Sequence, residues 1–196
     1  EITMSDIIFK IGPRINASGR VQNGIETVDL LVEKDFQRAL TEASLINEYN
    51  EQRKDIDKQM TEEANQIVAR LESQEHQSAI VLYGEGWKKG VVGIVASRMT
   101  DMYFRPTVVL SCNDGMATGS ARSVAGYDIY DAVKSCRDLL ENFGGHTYAA
   151  GLSMKLENVE EFSRRFEAYV HENIHPEQTR PNLDIHAILG FKDITP

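Results

Sequence analysis

The chain has 196 residues, 41% of them hydrophobic and 26% charged, which suits one sizeable water-soluble domain or one domain with pieces of its neighbours. No apolar run approaches the ~20 residues of a membrane span, and Glu1 to Gly12 lack the basic-then-apolar pattern of a secretion leader; membrane partners are excluded and a cytoplasmic location is expected. The net charge of -9 argues against a nucleic-acid partner only if read globally: residues 1–24 sum to +1, 25–79 to -7, 80–155 to +1 and 156–196 to -4, so the glycine-rich motifs escape the acidity, and local fields decide whether a phosphate docks.

In chain order, "GPRINASGR" (12–20) comes first and reads as a loop. Its arginines, Arg14 and Arg20, suit a phosphate clamp or a face turned toward another domain. From Ile25 to Tyr83 there is no Gly or Pro, and Phe36, Ala39, Leu40, Ala43, Ile46, Tyr49, Ile56, Met60, Ala64, Ile67 and Leu71 recur at helical spacing. This predicts an amphipathic helix over about 36–73, after a shorter one at 25–33. At ~1.5 Å per residue it reaches roughly 55 Å, longer than a compact domain needs. A connector between domains is preferred over a helix packed across a sheet, because residues 1–24 read as the end of something else.

The pattern then changes. "SAIVLYGEG" predicts a buried strand, "GVVGIVASRM" a buried helix reaching about Tyr103, and "RPTVVLSC" a strand with Pro106 at its start. "GMATGSARS" predicts a third strand running into a turn, "DIYDAVKSCRDLL" a helix capped by Asp128, "AAGLSMKL" a fourth strand, and "VEEFSRRFEAYVHENI" a helix capped by Asn158. The alternation predicts an α/β fold: a mixed β-sheet of four to five strands flanked by helices, behind the long connector helix. "PEQTRPNL" is a linker by composition, and the alternating stretch over 183–190 predicts the first strand of a further domain. Cys112 and Cys136 are expected to be reduced and semi-buried.

Three further stretches carry chemistry. "GSARS" offers Gly119 for close backbone approach, Ser120 and Ser123 as neutral donors, and Arg122 as a two-point phosphate binder. In "LLENFGGHTYAAG", a helix C-cap explains one of Gly144 and Gly145, not both together with Ala149, Ala150 and Gly151. His146 is either a satisfied core histidine or a donor to a phosphate or carboxylate. In "YGEGWKKG", Trp87 is either a core anchor or a platform for a base, and Lys88 adds local positive charge. His171 and His175 have metal-ligand spacing but sit at a helix end in a polar stretch, so zinc is not expected there. No clustered aspartates for two divalent ions and no nucleophilic triad stand out, so the residues describe an anion-binding surface without catalytic machinery of its own.

Taken together, in this order and at these spacings, "GPRINASGR", "GWKKGVVGIVASR", "RPTVVL", "GSARS" and "FGGHTYAAG" resemble the RecJ single-strand-specific exonucleases of the DHH superfamily. The later part resembles the DHH-associated domain with its GGH and short AAG. The resemblance implies a longer parent, active in DNA repair and recombination, in which an upstream DHH domain holds Mn²⁺ or Mg²⁺ and hydrolyses phosphodiester bonds from a 5′ end. It implies four parts: 1–24 as the tail of the DHH domain, 25–76 as connector helices, 77–176 as the substrate-binding DHH-associated domain, and 177–196 as a linker and first strand of an oligonucleotide-binding domain. It further implies that Ser120, Arg122 and Ser123 meet the terminal phosphate, that Gly144, Gly145 and His146 line the cleft, and that Arg14 and Arg20 lie near the substrate path. Relatives often carry His where this chain has Lys88, which puts a proton-transfer role there in doubt. Single-stranded DNA, or RNA, is the expected partner beside the DHH domain in cis. No metal is expected on this chain, and alone it is expected to be inactive. Competing expectations are an oligoribonuclease or cyclic-dinucleotide phosphodiesterase, a tRNA-binding module like those of alanyl-tRNA synthetases, and an interaction module whose glycines only make turns.

Overall fold

The computed structural model describes residues 2–72 and 77–181, together with 187, 189, 190 and 192. Five of the eight residues of the strand expected over 183–190 therefore lie outside the described residues.

The chain starts as helix: α1 (Met4–Asp6), a π-helical turn at Ile7–Ile11, and α2 (Gly12–Val21). Thr3 and Asp6 close a reciprocal capping box at its start. This corrects the loop expected for "GPRINASGR". Pro13 lies just past the π-helical turn, with helical backbone before it, and Ala17 and Ser18 are fully buried. Packing of α2 along the long helix outweighs the weak local preference of Gly, Asn and Ser for loops.

Helices α3 (Ile25–Val32) and α4 (Phe36–Glu72) follow. The 37-residue α4 matches the long helix predicted from about residue 36, up to the last described residue of that stretch. Its first half carries α2 and α3; its second half buries Met60, Ala64 and Val68 against the sheet layer. A clamp fixes it there. The buried Asp57 carboxylate accepts from Arg98 Nε at 2.9 Å and Nη2 at 2.8 Å, with Arg53 at 3.5 Å; desolvation makes such a shared carboxylate costly to strand.

Strand β1 (Ile80–Glu85) leads through α5 (Val92–Tyr103) to β2 (Thr107–Asn113), parallel to it. A two-residue turn with positive φ at Asp114 (49°) and Gly115 (75°), the geometry suited to a twisted hairpin, returns the chain as β3 (Met116–Arg122). Then come α6 (Ile129–Lys134), β4 (Leu140–His146), β5 (Ala149–Lys155) and α7 (Val159–Asn173). Among the described residues the sheet has five strands in the order β1-β2-β3-β5-β4, the mixed α/β arrangement expected.

The helix predicted over 128–140 is shorter than read. Asp128 caps it, accepting from the N–H groups of Tyr130 and Asp131. It ends at Lys134, passes a 3-10 turn, and becomes strand at Leu140. "FGGH" is therefore not a helix end but the edge strand β4, paired with β5. Tertiary pairing and the packing of Leu140 and Phe143 on the core decide this; local propensity alone cannot.

Each face of the sheet has its own core. One, against α6 and α7, gathers Val108, Leu110, Ala117, Ala121, Ala150, Leu152, Met154, Phe162 and Phe166. The other, against α4 and α5, gathers Ile80, Leu82, Val109, Val91, Val95 and Met99. Cys112 and Cys136 are free and buried, deeper than the semi-buried placement expected, and burial pushes both thiols above their usual pKa.

Candidate functional site

Because side chains alternate along a strand, the residues of β3, β5 and β4 that do not enter the α6/α7 core all share the opposite face. The register aligns them in three rows: Arg122–Ala149–His146, Ser120–Gly151–Gly144, and Thr118–Ser153–Asn142. Strands lie ~4.8 Å apart, so each row is roughly 10 Å wide, and successive rows are roughly 7 Å apart. The middle row, with two glycines, forms a trough between the other two.

The glycines of the expected site divide by what a side chain would meet. At Gly145 a Cβ would collide with Ala149 O and the Ala150 backbone, and at Gly119 with Val109 O and Leu110 Cα. Both are demanded by strand packing, which corrects the reading of Gly119 as a place for a phosphate to approach. At Gly144 a Cβ would meet nothing within 4 Å, and at Gly151 only two backbone oxygens at 4.0 Å. No packing requires these two, and their bareness keeps the trough open. Gly145→Ala is accordingly expected to cost about 1–3 kcal/mol and Gly144→Ala to stay within about 0.5 kcal/mol of the parent; urea unfolding of both variants checks this, and equal losses would contradict the division.

Arg122 is half-buried at one end of the trough. Its Nη1 donates to Ser120 Oγ at 2.5 Å and to Ala121 O at 2.8 Å. Helix α5 passes directly beside it: a Cβ on Gly93 would lie 2.8 Å from Arg122 Nη2 and 3.3 Å from Ser120 Oγ. Gly90 lets the end of α2 come equally near, since a Cβ there would strike the Arg20 backbone, and Arg20 Nη1 donates to Gly90 O at 2.9 Å. Thus α2 delivers a second guanidinium to Arg122. Burial, and then the Arg20 charge, push the Arg122 pKa below the usual arginine value. Among the described residues neither arginine has a carboxylate partner. Two neighbouring cations, one half-buried, without a counter-charge make a site for an anion.

His146 closes the same row from β4. It is exposed, and its Nδ1 accepts from the Tyr148 N–H at 3.2 Å, which puts the proton of the neutral ring on Nε2, free to donate. Tyr148 meets the ring edge-on at 6.2 Å.

The remaining candidates lie elsewhere or have other partners. Trp87 is buried, and its Nε1 donates to Glu63 Oε2 at 2.7 Å. Its indole occupies the space a Cβ at Gly84 would fill. It anchors the β1–α5 loop to α4; the base-stacking platform is overturned because the indole lies in the core. Ser123 Oγ donates to Tyr127 O at 2.6 Å and so holds its own turn. Arg14 donates to Asn47 Oδ1 at 3.0 Å and to Lys10 O at 2.7 Å, bracing α2 on α4. Lys88 is exposed on the loop before α5. Sequence reasoning missed Gly90 and Gly93, whose roles depend on elements that meet only in the fold, and the row Thr118–Ser153–Asn142. The alternation of Thr118, Ser120 and Arg122 with small Ala117, Gly119 and Ala121 was the available signal for the β3 part.

Among known proteins, the DHHA1 domain matches residues 76–172. The single-stranded-DNA-specific exonuclease RecJ of Bacillus subtilis (strain 168) is 36% identical over 189 residues, covering 95% of this chain and 24% of that protein. The RecJ of Escherichia coli (strain K12) is 33% identical over 183 residues, covering 90% and 32%. RecJ from Thermus thermophilus in complex with Mg²⁺ superposes with a TM-score of 0.75 at 31% identity, over 85% of this chain and 26% of that one. A manganese-bound exonuclease RecJ gives 0.74 at 30% identity, over 90% and 43%. The chain thus spans between a quarter and a third of the length of these curated relatives. Among the described residues there is no group of three or more His, Cys, Asp or Glu that could hold a metal ion. No helix is long and apolar enough to cross a membrane. The matched domain, the identity along nearly the whole chain and the shared fold together show that this chain belongs to the DHHA1 domain family, as a relative of the RecJ single-stranded-DNA-specific exonucleases.

Proposed function

We propose that this chain is the substrate-binding portion of a 5′–3′ single-strand-specific exonuclease that hydrolyses phosphodiester bonds in DNA repair and recombination. The observation that carries the reading is the half-buried Arg122 beside Arg20, with no carboxylate partner among the described residues. A terminal 5′-phosphate supplies the missing counter-charge. Arg122 holds it by two-point donation, Ser120 adds a neutral donor, and His146 Nε2 donates from the far side of the row. The bare trough of Gly144 and Gly151 lets the sugar-phosphate backbone lie against the sheet. Holding the scissile bond in one place converts binding energy into rate; the hydrolytic chemistry, and the Mn²⁺ or Mg²⁺ it uses, belong to a DHH domain upstream in the whole protein.

Exposed apolar surface on the N-terminal helices supports such a neighbour. Ile8 (54% exposed), Phe9 (73%), Val28 (58%), Leu31 (68%), Val32 (68%) and Phe36 (73%) crowd the N-terminal helices. So much exposed aliphatic and aromatic surface in one region marks an interface. The parts proposed are residues 1–24 as the end of the DHH domain, 25–76 as connector, 77–176 as the binding domain, and 177–196 as the approach to an oligonucleotide-binding domain.

The test is an end-labelled, 5′-phosphorylated DNA strand incubated with Mn²⁺ and either the full-length protein or this chain. Metal-dependent release of mononucleotides is expected from the full-length protein and none from the chain alone. Cleavage of dinucleotides in preference to long strands, or any release by the isolated chain, would overturn the reading.

A further inference from the structure

The third row, Thr118–Ser153–Asn142, has no part in holding the terminal phosphate, yet a specific irregularity of the sheet presents it. Along β4 and β5 the register steps from Leu140↔Met154 to Asn142↔Ser153, leaving Glu141 as an extra residue. Leu140 packs on the α6/α7 core. By simple alternation Asn142, two residues on, would enter the same core. The bulge reverses its direction and sets the carboxamide on the open face beside Ser153, a recurrent use of bulges near binding sites. Asn142 is exposed, while Thr118 and Ser153 are half-buried.

None of the three side chains has a hydrogen-bond partner among the described residues, whereas the next member of the row is fully engaged. Ser111 Oγ on β2 donates to Trp87 O at 2.5 Å and accepts from Asn113 Nδ2 at 2.9 Å. Two hydroxyls and a carboxamide therefore stand in line, each able both to donate and to accept, and none charged. They lie roughly 7 Å beyond the glycine trough, on the side away from Arg122 and His146.

We propose that this row is a second-nucleotide subsite, binding the sugar and base of the nucleotide that follows the 5′-terminal one. The cationic row meets the phosphate; a neutral row that offers acceptors as well as donors matches the polar edge of a base or the hydroxyl and ring oxygens of a sugar, whereas a phosphate would use its donors alone. The trough between them carries the linking backbone. The inference rests on the 5′-phosphate reading of Arg122.

The experiment compares 5′-phosphothymidine (pdT) with the dinucleotide pdTpdT by NMR titration of this chain and of its Asn142→Ala and Ser153→Ala variants. In the parent chain pdTpdT is expected to bind at least tenfold more tightly than pdT, with amide shifts reaching 118, 142 and 153 only for the dinucleotide. Each substitution is expected to reduce the pdTpdT/pdT affinity ratio severalfold, as loss of one or two hydrogen bonds does. Binding of both nucleotides at Ser120 and Arg122 with a ratio that neither substitution moves would overturn the subsite and leave the phosphate reading intact. Binding of neither nucleotide to the parent chain would overturn both.

Discussion

Replacing Arg122 by Ala is expected to weaken binding of 5′-phosphorylated single strands about a hundredfold. Three features set the size. The guanidinium is half-buried and lacks a carboxylate partner among the described residues, so the phosphate is its counter-charge; such charge-assisted, two-point contacts carry about 1.5–3 kcal/mol. Ser120 and the Ala121 carbonyl hold the group in one orientation, so little freedom is lost when the ligand arrives. Arg20 stands close enough to depress the Arg122 pKa, and a doubly negative phosphate relieves that repulsion. Arg122→Lys should recover only part of the loss, because an ammonium cannot reproduce the planar fork. The measurement is fluorescence anisotropy over a range of salt concentrations, with 5′-phosphorylated and 5′-hydroxyl strands. The parent should discriminate between the two ends and Arg122→Ala should not, and its salt slope should fall by about one. A variant that binds both ends as the parent does would remove the phosphate from this position.

Trp87→Ala is expected to destabilise the chain by about 3–5 kcal/mol, the range for removing a large buried aromatic, while leaving the nucleotide affinity of the folded fraction unaltered. The indole fills the space over Gly84, packs among Met60, Leu82, Val91 and Val92 in the α4/α5 core, and reaches Glu63 through its N–H. The main-chain carbonyl of residue 87 still receives the Ser111 hydroxyl in the variant, so the loop before α5 loses its anchor on α4 and in the core but keeps its bond to the sheet. Trp87→Phe keeps most of the volume but removes the bond to Glu63, and should cost only about 0.5–1.5 kcal/mol from that loss. Thermal or urea unfolding separates the two variants. A stable Trp87→Ala chain with impaired strand binding would restore the stacking role that burial argues against.

The chemistry of the site was legible in the sequence wherever it needed only residue type and order. Arg122 and Ser120 announce an anion site through their neighbours, and the double glycine beside His146 announces a surface cleared of side chains. What could not be read was the separation of those glycines into two kinds. Gly145 and Gly119 are bare because a neighbouring strand occupies their Cβ positions; Gly144 and Gly151 are bare with nothing there. That distinction depends on strand register, which no local pattern records. Trp87 lies in the core, and Ser123 and Arg14 have partners within the chain, for a related reason. Hydroxyl, indole and guanidinium are equally suited to ligands and to their own protein, and only the contacts decide.

Secondary structure shows the same boundary. The 37-residue α4 was predictable because sustained 3.6-residue periodicity without Gly or Pro has few alternatives. The strands β1, β2, β3 and β5 were predictable from β-branched or small alternating runs closed by turn residues. By contrast, "GPRINASGR" becomes a helix because α4 lies beneath it, and "LENFGGH" becomes a strand because β5 lies beside it; in both, the deciding contacts are with partners outside the segment. Local periodicity and side-chain chemistry were therefore enough to set the alternating α/β order, the long helix and the chemical character of the anion site. Which arginine meets Arg122, which glycines stay open, and how a single extra residue at Glu141 turns Asn142 outward were settled only when the segments aligned across space, because each depends on a register or a contact between separate elements.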